Sequence, residues 1–69
     1  MHLIKINSKN LGIVYININD IALFTYHKSS DCTKIYLRNE MTISIDNDVS
    51  AKIAKLIMAA TNNSLLHLE

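Results

Sequence analysis

From Thr33 onward the chain alternates cleanly. Ile35 and Leu37 fall on one parity and Lys34, Tyr36 and Arg38 on the other; Met41, Ile43 and Ile45 then oppose Thr42 and Ser44. A period of two is the mark of half-buried strands, so this stretch predicts a hairpin. The two runs stand so close that a two-residue turn at Asn39-Glu40 is expected, with Asn39 in the left-handed conformation. Glu40 suits the second turn position less well than glycine by about 1 kcal/mol, which leaves a longer loop with a bulge as the alternative.

Upstream the apolar pattern is denser. Leu3 to Ile6 reads as a strand ended by Asn7-Ser8-Lys9-Asn10, and Gly12, the only glycine, precedes a second run from Ile13 to Ile18. That run places β-branched and aromatic residues on both parities, which suits a strand contacted from both sides. Asn19-Asp20 interrupts it, Ile21 to His27 resumes as a third strand, and Lys28-Ser29-Ser30-Asp31 forms a polar loop. Downstream, Asp46-Asn47-Asp48 offers helix caps. Val49, Ile53, Leu56, Ile57 and Ala60 then form one apolar stripe, opposed by Ser50, Lys52, Lys55 and Thr61, until Asn62-Asn63 ends the helix.

The fold class that follows is α+β: a small, strongly curved antiparallel sheet of four or five strands with one C-terminal helix packed on it. Four strands result if the second and third are one bent strand. The helix is expected to cover Ile35, Leu37, Met41, Ile43 and Ile45 together with Ile4, Ile6 and Ile16. The other parity, where Val14, Ala22, Phe24 and Tyr26 are expected to cluster, then needs a cover of its own. Either the sheet curls into a half-barrel or a second subunit packs there.

A length of 69 residues allows one domain, taken as 1–67, with Leu68-Glu69 read as an expression-tag remnant. A core this small is marginal, because ordering each residue costs roughly 1.5 kcal/mol and apolar burial barely offsets the sum. Cys32 is the only cysteine, so no intrachain disulfide adds support, and homo-oligomerisation is the favoured source of it. A formal charge of +1 lacks the basic excess of a protein that neutralises many phosphates. No apolar run approaches the ~20 residues of a membrane span, and polar Asn7, Ser8 and Lys9 come too early for a secretory signal. A cytoplasmic protein is expected.

No motif with chemistry stands out. His27, Asp31 and Cys32 lie close in sequence but lack the remaining ligands of a zinc site and the partner of a redox pair. Asp20, Asp31, Asp46 and Asp48 have local duties as turn formers and caps, and Asp46-Asn47-Asp48 lacks the glycine and distant glutamate of a calcium loop. Neither enzyme activity nor a cofactor or metal is expected. Val14, Tyr15, Phe24 and Tyr26 are the candidates for a protein interface, where rigid aromatic area is favourable. Lys34, Tyr36 and Arg38 are the candidates for the alternative, a small nucleic-acid-binding module.

The order IKINSKNLGIVYININDIALF, a variable loop, then TKIYLRNEMTISIDNDVSAKIAKLI resembles the FlbD/SwrD-type small bacterial proteins associated with flagellar operons. The likeness rests on the Tyr15-Ile16-Asn17 step, isoleucines such as Ile21, a threonine-started strand, a tight hairpin and a helix from Val49. It is a pattern of apolar positions. The chain departs from it at Glu40, where that family usually has glycine, and at Cys32. The resemblance implies a cytoplasmic, non-enzymatic accessory role connected with motility.

Overall fold

In the computed structural model, which describes residues 2–61, five strands precede one helix. The strands are β1 (Leu3–Ser8), β2 (Gly12–Asn17), β3 (Ile21–His27), β4 (Cys32–Leu37) and β5 (Thr42–Asp46); the helix is α1 (Ser50–Thr61). The α+β class expected from the pattern is the class observed. The helix stop at Asn62-Asn63 and the pair Leu68-Glu69 lie outside the described residues.

The strands do not form one sheet. β1 and β2 pair as an antiparallel hairpin, while β3, β4 and β5 make a separate three-stranded meander. The division falls at Ile18–Asp20, a single turn of 3-10 helix capped by the Asn17 side chain, whose Oδ1 accepts the Asn19 amide at 3.0 Å. Such an Asx cap competes with the ladder and turns the chain out of β2 before β3 begins. Buried Ile18 pins the turn to the interior, and the Arg38 amide and Nε donate to the carbonyls of Asp20 and Asn19. The second and third runs are therefore two strands in different sheets.

Asn10 joins the two sheets at the far end. Its Nδ2 donates to the Thr42 carbonyl at 2.9 Å and its Oδ1 accepts the Ser44 amide at 3.0 Å, while the Lys9 amide donates to the Ser44 carbonyl at 2.7 Å. A side-chain amide thus occupies ladder positions along β5, protecting an edge that would otherwise present free backbone groups.

The two sheets and the helix enclose one core. Ile6 and Ile16 come from the hairpin, Ile35, Leu37 and Ile43 from the meander, and Ile53 from α1. Val14 and Phe24 pack against this cluster, which corrects the expectation that they line a second, uncovered face. Val14 stands opposite Ile6 and shares the inward face of Ile16. Phe24 stands opposite fully buried Ile35. A bulge between Ile21 and Leu23 shifts the parity of β3, so Ile21 and Phe24 both face inward while Ala22 and Leu23 are exposed. Two residues expected in the helix–sheet contact are instead half in solvent: Met41, expected under the helix, at the end of the β4–β5 hairpin, and Leu56, expected in the helix's apolar stripe.

The loop between β4 and β5 resolves in favour of the bulged form. The Glu40 amide donates to the Leu37 carbonyl at 3.1 Å and the Leu37 amide to the Met41 carbonyl at 2.9 Å, so residues 38–40 form the loop. Glu40, with φ at 70°, takes the left-handed position, while Asn39 accepts the Met41 amide on its side chain. Left-handed strain of about 1–2 kcal/mol at a non-glycine residue exceeds the roughly 0.5–1 kcal/mol that glycine's extra chain entropy costs. Glu40→Gly is therefore expected to stabilise the fold by about 0.5–1 kcal/mol, read as a higher urea midpoint at an unchanged denaturant slope.

Candidate interaction surface

The register of the β1–β2 hairpin decides which residues meet solvent. Leu3 pairs with Asn17, Lys5 with Tyr15 and Asn7 with Ile13, and these three pairs share the face directed away from the core. Ile4, Ile6, Val14 and Ile16 occupy the other face. The outward face would ordinarily be polar, since only one side of an antiparallel hairpin is needed for the core. Here Leu3 is 62% exposed, Ile13 60% and Tyr15 63%. Leu3 and Tyr15 are diagonal neighbours across the ladder, and Ile13 lies two residues before Tyr15 on the same face of β2.

The patch continues past the strand edge. Tyr15 also borders a recess of about 250 Å³ between β2 and the β4–β5 hairpin, whose walls include the exposed side chains of Leu11 and Met41. Leu37 and Ile43 lie deeper in the same recess, and Asp20, Asn17 and Asn39 contribute its polar lining. Tyr15 therefore connects an apolar ridge to a recess with polar groups beside it. No carboxylate stands on the hairpin's outward face. Nothing in this arrangement pairs a nucleophile with a base; its resources are apolar area, one phenol and a few amides.

The four interface candidates are not brought together. Tyr15 is exposed on the hairpin, Val14 and Phe24 face the core, and Tyr26 is half-buried on β3. The Tyr26 hydroxyl donates to Asp31 Oδ1 at 2.7 Å. That hydrogen bond, with partial desolvation and the negative charges of Asp31 and Asp48, raises the Tyr26 phenol above its ordinary 10.0, so it stays neutral and anchored to the β3–β4 loop. Leu3, Ile13 and Leu11 were not singled out by sequence reasoning, and Met41 was expected under the helix. For Leu3 and Ile13 the signal was the odd-numbered parity of β1 and β2, which becomes readable only once the hairpin register is known.

Of the residues considered for nucleic acid, Lys34 and Tyr36 share the solvent-facing side of β4, opposite Thr25 and Leu23 on one side and Ser44 and Thr42 on the other. Arg38 lies beyond the strand in the loop, with its Nε committed to the Asn19 carbonyl. Lys34 lines a shallow recess with Lys9, Ser30, Cys32 and Ser44, and Lys9 is paired there with Asp46 at 3.6 Å. Comparison with models of protein families, with curated proteins and with solved structures finds no match for this chain.

The remaining candidates have structural partners. His27 and Cys32 face each other across the β3–β4 ladder, but His27 Nε2 is 2.9 Å from Thr25 Oγ1, and the buried Cys32 thiol contacts the Thr33 carbonyl at 3.8 Å. Asp48 accepts the Ser50 amide and hydroxyl at the start of α1, the local duty expected of a cap. Among the described residues no group of three or more His, Cys, Asp and Glu side chains is placed to hold a metal ion, and no helix is long and apolar enough to cross a membrane.

Proposed function

We propose that this protein is a non-enzymatic interaction module that self-associates through the outward face of the β1–β2 hairpin. The observation that carries the reading is the exposure of Leu3, Ile13 and Tyr15 on one face of one hairpin, extended by Leu11 and Met41. A contiguous apolar patch on so small a molecule marks an association site. A two-fold contact between two such faces is self-complementary, with Tyr15 of each copy set against the apolar ridge of the other and its hydroxyl left at the polar margin. It places no carboxylate in the contact, and Lys5 can lay its stem along the rim with its ammonium in water. A cytoplasmic, accessory setting belongs to the same proposal, with the motility connection resting on the FlbD/SwrD-type resemblance alone.

The test is sedimentation across a concentration series. The parent chain is expected to form a dimer, and Tyr15→Ser is expected to weaken it by about 2 kcal/mol, roughly thirtyfold in dissociation constant, as for an interface anchor. Its circular dichroism should be unchanged, because Tyr15 contributes little to the core. A parent chain that stays monomeric at every concentration removes the proposal.

A further inference from the structure

A second apolar surface lies along α1, meeting the hairpin's outward face only at Lys5 and Asn7. The Lys9 amide, next to the end of β1, donates to the Ser44 carbonyl of β5. Residues of β1, β5 and α1 together line a shallow groove of about 270 Å³, with Ile4, Ile6, Ile45, Val49 and Ile53 as its apolar part. Leu56, 48% exposed although it belongs to the helix's apolar stripe, forms part of its wall. The surface continues over Lys52, Lys55, Leu56 and Ala59. Lys5 and Lys52 border the groove and Lys55 stands one turn further on; the described residues lining either part include no aspartate or glutamate. The strip is apolar along its floor and positive along its rims.

We infer that this strip docks one amphipathic helix of a partner protein, apolar on the face it presents and flanked by carboxylates. The α1 surface offers two adjacent rows at a spacing of four, Lys52–Leu56 and Lys55–Ala59. Rows of this kind receive the ridges of a second helix, and the small Ala59 permits a close approach. α1 has twelve residues, so an aligned partner helix engages about 18 Å, or three turns. Carboxylates one turn apart on that helix meet Lys52 and Lys55. A second copy of this chain fits poorly, because a two-fold contact would bring together two strips that both carry lysines and whose described lining residues include no carboxylate.

The probe is a synthetic helical peptide of about 18 residues, long enough to hold a helix, with leucines repeating at three and four and glutamates beside them. Binding is followed by fluorescence anisotropy on the full chain in the Tyr15→Ser background, so that loss of self-association and loss of docking are read separately. Binding is expected, with weakening as salt rises. The Lys52→Glu, Lys55→Glu double variant is expected to weaken it by roughly tenfold or more while gaining affinity for the same peptide with lysines in place of glutamates. Leu56→Ser, at an exposed position, should weaken both peptides without altering the fold. Four outcomes overturn the inference: no binding of the acidic peptide; equal binding of the two peptides; capture of the protein by phosphatidylserine vesicles with no peptide binding; or peptide binding that emerges only in a Leu65→Ser, Leu66→Ser variant, which would assign the strip to the chain's own residues 62–69.

Discussion

Ile35→Ala is expected to destabilise the protein by about 3–4 kcal/mol, the largest effect of any single truncation in the core. Ile35 is 0% exposed and sits on the central strand of the meander, opposite Phe24 on one side and Ile43 on the other. Removing it deletes buried methyl groups and leaves a void walled by two ladders that cannot move inward without breaking their hydrogen bonds. In a domain whose whole stability is on the order of 5 kcal/mol, such a loss leaves only about 1–2 kcal/mol, so that roughly 5–15% of the molecules are unfolded at physiological temperature. Ile35→Val removes a single methylene and should cost only about 0.5–1.5 kcal/mol. Chemical denaturation of the two variants checks the pair, and a cost below about 1 kcal/mol for the alanine would mean that the cluster is not the core.

The second large effect is expected at Thr33, where volume is not the issue. This side chain is also 0% exposed, and its hydroxyl both donates to the Asn47 carbonyl at 2.8 Å and accepts the Val49 amide at 3.1 Å. Those bonds fix the passage from β5 to α1. Asn47 lies in the left-handed region with φ at 73°, its own amide donating to the Asp31 carbonyl at 2.8 Å, and Val49 supplies the carbonyl that receives the Ile53 amide at 3.0 Å. Thr33 thereby holds the first turn of α1 over the core, because Val49 has no polar side chain to cap its own helix. Thr33→Val keeps the shape and strands two backbone groups at a part-buried site, at a cost of about 2–4 kcal/mol. Thr33→Ser keeps both hydrogen bonds and should recover most of the loss. Amide exchange resolves the mechanism: in the valine variant the protection of Val49 and Ile53 should fall more than that of β1 or β2, whereas a uniform fall would assign Thr33 a packing role only.

The alternation from Thr33 to Ile45 specified more than its two strands. A one-residue slip would turn Ile35, Leu37 and Ile43 outward, so the pattern specified the inward face, whereas the register followed from the three-residue loop at 38–40 and not from the expected two-residue turn. The α1 stripe was legible for a like reason, with Ile53 reaching the core as expected and Val49 and Ile57 packed beside it. β2 and β3 were harder, since apolar residues of both parities look alike whether a strand is covered on both faces, bulged or partly exposed. The bulge after Ile21 and the outward Ile13 and Tyr15 are the separate explanations, and neither has a local signature. Leu56 misled for another reason: helical periodicity marks a stripe but not how wide the surface beneath it is, and here the sheets are too narrow to cover the whole of it.

The sequence by itself determined the element order, the α+β class, the inward faces of β4 and β5 and the buried side of α1, because each follows from local periodicity and from where polar residues interrupt it. Tertiary structure alone decided that the strands divide into two sheets at Ile18–Asp20, that Asn10 closes the edge of β5, that Thr33 anchors a helix sixteen residues further on, and that Leu3, Ile13 and Tyr15 remain outside. These features depend on pairings between positions distant in the chain. A side chain's exposure is set by what arrives to cover it, and no local pattern carries that information.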